Sequence, residues 1–278
     1  MISVLILTKN EESNLPRCLD ALNWCDDIVV FDSFSNDRTV EIARAAGARI
    51  FQRTFDNYSA QREAARATVM YRHAWVLAVD ADEVVDSVLV SEMKQIAGTN
   101  SNQIFAYRMR RKDMFMGRWI KHATLYPSWF VRFYRPDRVH YEPRRVHEYP
   151  TVNGEIGEMR GHLIHYNFSK GLEQWVDRHN RYSTLESLEN LRISHDSKLD
   201  VSGIFSITNP VRRRRALKEL SMQLPFRPLL RFVYMYFLRL GLLDGIPGFH
   251  YCRLLAIYEY LIVLKMKEVR RREQGLSI

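Results

Sequence analysis

Residues 75–83 read WVLAVDADE: an apolar run of strand length, 75–79, that ends in three carboxylates within four positions. A buried strand can carry that much acid to its end only where something answers the charge. In an extended segment residues two apart share a face, so Asp80 and Asp82 are expected to project together. Two carboxylates held that close need a cation beside them, or one stays protonated. A divalent ion held by one or two carboxylates and completed by phosphate oxygens is the usual hard-cation arrangement. The competing reading is a solvated turn, with Asp82 and Glu83 as the acidic start of a helix over 84–96.

The upstream pattern favours a ligand edge. Apolar runs at 2–7, 28–31, 49–51 and 75–79 alternate with helical spacing at Leu15/Leu19/Leu22, Val40/Ala43 and Ala60/Ala64/Ala65. Strand–helix alternation predicts right-handed βαβ units and an α/β fold with a mainly parallel sheet. Such sheets bind ligands at the carboxyl ends of their strands. Here those ends are Thr8-Lys9-Asn10-Glu11, Asp32-Ser33 and Asp80-Ala81-Asp82, all polar. Residues 104–135 carry aromatics in strand alternation, 136–170 reads as loops and short strands, and helical spacing returns from Gly171.

Each polar strand end offers candidate groups. Asp32 can accept from a base imide or a ribose hydroxyl, while Ser35 and Asp37 have the chemistry of helix caps. Thr8, Asn10 and Glu11 line the first loop, where Glu11 or Glu12 is placed to touch a ribose. Gln61 and Arg62 are expected on a polar helix face, the arginine facing a diphosphate or solvent. The chain has no GxGxxG and no GxxxxGK[ST], which disfavours a dinucleotide sheet and excludes a P-loop. It also has no GxSxG and no HExxH.

Four segments taken together, ILTKNEE, DSFSNDRT, AQRE and WVLAVDADE, resemble family 2 of the inverting, nucleotide-sugar-dependent glycosyltransferases, which have the GT-A fold. Further on, VHEYPTVNGEIG, HLIHYNF and YFLRLGLLDGIPGF resemble the bacterial subgroup that includes lipopolysaccharide-core β-1,4-glucosyltransferases. The likeness covers nearly the whole chain; 205–225 matches nothing in it. It implies a GT-A catalytic domain over 1–170, with a nucleotide-binding half to residue 100 and an acceptor-side half beyond it. A helical region would follow over 171–278, with an apolar hairpin at 226–269. It also implies transfer of a hexose, glucose from a UDP-sugar first, to a lipopolysaccharide-core or related surface glycan. Transfer to polyprenyl phosphate, or a non-catalytic lipid or assembly role, are the alternatives.

By the same resemblance Asp32 binds the base, Asp80 the ribose or metal, and Asp82 a Mg²⁺ or Mn²⁺ bridging the diphosphate; His165 in HLIHY is either a neutral imidazole completing the metal shell or a hydrogen-bonded core residue. Inversion needs a general base to take the acceptor's proton. Glu148 in RRVHE is the first candidate, since neighbouring cations keep it ionised; Asp113 is the second. Many family members carry a Glu-Asp pair at the base position, and this chain has none.

Charge divides the chain. Residues 1–100 hold 10 Lys/Arg against 15 Asp/Glu, and residues 101–278 hold 31 against 17. The cations in 226–269, Arg227, Arg231, Arg239, Arg253 and Lys265 among them, accompany apolar and aromatic residues and no nucleic-acid motif. An amphipathic hairpin on an anionic membrane surface is therefore expected, or else packing on the catalytic domain or another subunit, and not nucleic acid. The six-residue apolar start is too short for a signal peptide, and no run of about 20 apolar residues predicts a span. Three cysteines without a CxxC pair fit a reducing compartment. The expected location is cytoplasmic, on the inner face of the cytoplasmic membrane.

Overall fold

The computed structural model describes residues 1–99, 103–141, 150–196 and 226–277, with positions 202, 213 and 216. The chain divides into two compact units: Met1–Met114 with Leu125–Ser169, and Phe115–Thr124 with Lys170–Ile278. The excursion 115–124, which the sequence reading places in the catalytic domain, thus groups with the second unit.

The first unit begins with β1 (Ser3–Thr8), α1 (Leu15–Asp20), β2 (Asp27–Asp32), α2 (Thr39–Ala45), β3 (Arg49–Gln52), α3 (Tyr58–Thr68) and β4 (Val76–Asp80). These strands pair in parallel in the order β3-β2-β1-β4. Both faces are covered. Val4, Ile6, Val30, Leu77 and Val79 pack with Leu15, Leu19 and Ala43, while Leu5, Val29, Val76 and Ala78 pack with Ala65 of α3. Two-sided burial is why these strands read as continuous apolar runs rather than alternating ones.

The remainder of this unit is mixed. After β4 come β5 (Glu83–Val85), α4 (Ser87–Ala97) and β6 (Ile104–Phe115). A two-residue strand, β7 (Arg118–Trp119), lies in the second unit, and β8 (Trp129–Tyr134), β9 (Val139–Tyr141), β10 (Pro150–Val152) and β11 (Glu155–His165) return to the first. The sheet continues from β4 through antiparallel β8 and β6 to β11, with β5 antiparallel on the edge. β9 and β10 form a small separate antiparallel pair. This is the expected α/β class: a mainly parallel core sheet with an antiparallel addition.

Two local expectations are corrected. The helix after the acid cluster starts at Ser87, because Asp86 caps it by accepting the Leu89 N–H at 2.8 Å; Glu83 is in a strand. Within 136–170, expected as loops and short strands, β9 and β10 are short strands but residues 155–165 form one long strand. Its glycines serve close packing: a Cβ on Gly161 would lie 2.4 Å from the Leu89 nitrogen, and one on Gly157 2.4 Å from the Tyr107 ring.

At the amino-terminal edge of the sheet, Asp27 ties four segments together. Its carboxylate accepts from Ser3 Oγ, from the Arg49 guanidinium at 2.9 Å and from the Arg72 N–H at 2.9 Å. Burial acts to raise this carboxyl, but the hydrogen bonds and Arg49 outweigh it and hold it below its ordinary value. A depressed native pKa gives stability that is complete above the unfolded value of about 3.9 and lost as pH falls through the native one.

In the second unit, α5 (Gly171–Asp196) and α6 (Arg227–Val233) both pack on α7 (Gly245–Glu273). One turn of π-helix, Tyr234–Leu238, and a 3-10 turn, Gly241–Asp244, join α6 to α7. The expected dividing turn Gly245-Ile-Pro-Gly248 instead forms the start of α7, where a proline costs no hydrogen bond. Asp244 accepts the N–H groups of Lys121, His122 and Ala123, which fixes the 115–124 excursion to this unit. Two cations expected to face lipid are turned inward. Lys265 Nζ donates to Asn180, Ser183 and Thr184 on α5, and Arg227 pairs with Glu259.

Replacing Asp27 with Asn should lower stability by roughly 2 to 3 kcal/mol at neutral pH, since it breaks a buried charge pair. In urea unfolding, the gap to wild type should narrow below about pH 4. A gap that stays constant with pH would count against the charge as its source.

Candidate active site

The acid cluster lies where β4 hands over to β5, at the carboxyl edge of the parallel strands. The strand ends at Asp80, and Ala81 and Asp82 form a turn. Asp80 and Asp82 therefore do not share a strand face; the turn gives each its own surroundings.

Asp80 is answered by protein cations. Arg62 of α3 donates to one carboxylate oxygen at 2.7 Å, and Arg132 of β8 donates to the other at 2.7 Å. Burial acts to raise the Asp80 carboxyl, but Arg132 and Arg62 outweigh it and hold it well below the usual carboxylate range. The expectation that Gln61 and Arg62 ride a polar helix face is corrected, because both are buried. Gln61 donates to Ser33 Oγ at 3.0 Å and accepts from Arg53 at 2.8 Å.

Glu83 is not the start of a helix. It is buried; its carboxylate accepts the Asp80 N–H at 3.0 Å and lies 3.6 Å from Arg132 and 3.9 Å from Arg111. Burial raises its carboxyl above the ordinary value. Arg111 also approaches Asp113 at 3.1 Å, and Asp113 bonds His165 Nδ1 at 2.6 Å. The other imidazole nitrogen, Nε2, lies 3.3 Å from the Asp82 carboxylate. Burial and Arg111 act to lower the imidazole, but the Asp113 and Asp82 carboxylates outweigh them and raise it to about 9.

These groups form one alternating series: Arg62, Asp80, Arg132, Glu83, Arg111, Asp113, His165, Asp82. Asp82 is its terminal anion. Among the described residues no three His, Cys, Asp or Glu side chains are arranged to hold a metal ion. Asp80 does not fit such a role, since both its oxygens are taken by arginines. Asp82 and His165 do fit as a pair, because an imidazole whose far nitrogen is held by a carboxylate is the arrangement of a metal-binding histidine. Two protein ligands with substrate phosphates suffice for a hard cation.

The first two strand ends are built around Asp32. Its carboxylate accepts from Thr8 Oγ1 at 2.9 Å, the Ser35 N–H at 2.9 Å, Ser35 Oγ and Gln52 Nε2 at 3.1 Å. Burial acts to raise it, and these four donors hold it low. A nucleobase imide that bonded Asp32 would have to displace one of them. The first loop is braced against the second: Asn10 bonds Ser35 Oγ and the Asn36 N–H, and the Glu11 N–H donates to Thr39 Oγ1 at 2.7 Å. Asn10 adopts φ 55°, the left-handed region that asparagine tolerates. Glu148 lies outside the described residues.

Sequence reasoning missed Arg132 and Arg111. The signal was present in WFVRFYR and RMRRKD, where a charged residue interrupts an otherwise core-forming strand; such a residue is buried only when paired.

Asp80→Ala should cost about 2 to 3 kcal/mol, below the full value for a wholly buried pair because 34% of the Asp80 side chain is exposed. Asp82→Ala should leave thermal unfolding close to wild type. Equal destabilisation by the two substitutions would contradict the division drawn here between an anchored and a terminal carboxylate.

Comparison with known proteins places this geometry in context. A family model described as glycosyl transferase family 2 matches residues 3–160. The chain is 27% identical over 273 residues to the lipopolysaccharide core biosynthesis glycosyltransferase LpsC of Rhizobium meliloti, covering 95% of this chain and 91% of that protein. It is 24% identical over 286 residues to an uncharacterized glycosyltransferase of Rickettsia typhi, covering 99% and 89%. Among solved structures, residues 1–349 of TarS from S. aureus match at 15% identity and a TM-score of 0.44, covering 99% of this chain and 91% of that one.

Proposed function

The chain belongs to glycosyl transferase family 2, and on that premise we propose that its mainly parallel sheet is a GT-A fold and that it transfers a hexose, glucose from a UDP-sugar first, to a saccharide acceptor of the lipopolysaccharide-core type. The acceptor class rests on the likeness to LpsC along nearly the whole chain. The observation that carries the site is the terminal Asp82 beside His165, with Asp113 behind the imidazole.

In this reading Asp82 and His165 hold a divalent ion, Mg²⁺ or Mn²⁺. Such an ion neutralises the charge that develops on a departing nucleoside diphosphate. Asp113 accepts the Nδ1–H of His165 and turns Nε2 outward, which makes it a positioning residue. Its carboxylate is engaged by His165 and Arg111, which leaves it poorly placed to take an acceptor's proton. The base is therefore assigned to Glu148, whose sequence neighbours Arg144, Arg145 and His147 favour its ionised form. Asp80, immobilised by two arginines, presents a fixed edge to the donor's ribose. Asp32 and the loop it braces hold the base end of the same donor.

Mn²⁺ titrations followed by calorimetry should show Asp82→Ala and His165→Ala abolishing detectable binding, and Asp113→Asn weakening it about 10- to 100-fold. Glu148→Gln should leave Mn²⁺ binding intact and lower kcat about 10²- to 10⁴-fold. A panel of UDP-, GDP- and dTDP-sugars, scored by nucleotide release, identifies the donor. Full turnover by Asp82→Ala would sink the metal assignment.

A further inference from the structure

The segment joining α6 to α7 leaves an unusual amount of apolar surface in water. Phe226 is 77% exposed, Leu238 72% and Ile246 72%, and Leu229, Phe237 and Leu243 are also exposed. All six fall within residues 226–246. Isolated exposed leucines are ordinary; these six, with Leu230, Val233, Tyr234, Leu240 and Leu242 exposed in the same stretch, are not. The α5-facing side of α7 is accounted for, because it packs there through Leu191, Ile262 and Met266 and is anchored by Lys265.

The charges in this stretch select the partner. Arg227, Arg231, Arg239 and Arg253 lie between positions 226 and 258, where Asp244 is the single acidic residue. Asp244 is buried beneath the N–H groups of 121–123, and the next acid, Glu259, is held by Arg227. The stretch therefore shows apolar groups and arginines with no exposed carboxylate. A two-fold pairing of copies would set this surface against itself, placing like charges together with no acid to offset them. Lipid phosphates answer both features at once, and exposed Tyr234 and Tyr260 have the amphipathic character of the membrane interface.

The local backbone suits a surface and not a crossing. α6 has seven residues, and the π and 3-10 turns follow it directly. Among the described residues no helix is long and apolar enough to cross a membrane. We propose that residues 226–246 form a docking surface for an anionic lipid bilayer, with Phe226, Leu229, Phe237, Leu238, Leu243 and Ile246 entering the acyl boundary and Arg231 meeting phosphates. This narrows the contact to the joint of the hairpin and excludes the α7 face that carries Lys265.

Flotation of the full chain with vesicles tests it. Wild type should float with phosphatidylcholine vesicles containing about a third phosphatidylglycerol and far less with phosphatidylcholine alone. Binding should weaken several-fold at about 0.5 M salt as the arginine contribution is screened. Leu238→Glu and Ile246→Glu should each reduce the bound fraction about tenfold while melting like wild type. Leu185→Glu, an equally polar change at an exposed position of α5, should bind as wild type does. Unchanged flotation of both 238 and 246 variants overturns the proposal. So does a wild type that ignores every vesicle, including one that instead dimerises through this surface and becomes monomeric on either substitution.

Discussion

The site depends on an alternation of charge. Eight ionisable side chains crowd one end of a sheet, and each lies beside groups of opposite sign, from Arg62 through Asp80, Arg132, Glu83, Arg111 and Asp113 to His165 and Asp82. Removing such charges from water is costly unless each is paired. The members come from α3, β4, the turn after it, β5, β6, β8 and β11, so the series forms only once the sheet is assembled. It also explains the mixed topology locally: antiparallel β8 brings Arg132 next to the end of β4, and β11 brings His165 back beside β5.

The sheet has polar ties at both edges, with different consequences. Asp27 at the amino ends binds Ser3, Arg49 and the Arg72 backbone, and every member belongs to the fold. Asp32 at the carboxyl ends binds groups from the loops after β1 and β2, so it shapes the rim of the site. Its four donors make that rim rigid before any ligand arrives. A preorganised rim spares a ligand the cost of ordering it.

Much of this was legible in the sequence where the signal is local. The four parallel strands announced themselves as apolar runs, and their polar ends fell at the carboxyl edge of the sheet within a residue or so. Pairing across the fold was not legible. Nothing near Arg62 in AQRE states that its partner is Asp80, and a surface position was the natural reading of an arginine in a polar helix. The same limit misplaced Lys265, whose partners on α5 are some eighty residues away. The β5 strand was lost because three residues are too few for a period to appear, and β11 because its glycines look like loop residues until their neighbours Leu89 and Tyr107 are known.

Electrostatics also separates the two aspartates that the sequence presents as a matched pair. A divalent ion on either Asp80 oxygen would sit within about 4 Å of a guanidinium, where two charges against one repel by about 8 kcal/mol at an effective dielectric near 20. No comparable cation blocks Asp82 once His165 is neutral, because the imidazole then offers a lone pair in place of a charge. In the proposed reading, the proton on His165 and a metal ion would compete for the same nitrogen. Asp113 favours the proton through its charge, yet by holding Nδ1 it also fixes the ring in the orientation in which Nε2 would serve as a metal ligand. One carboxylate would thus set both the competition and the geometry, and the two acids of the Asp-x-Asp spacing are treated differently by the fold, one held between arginines and the other beside an imidazole.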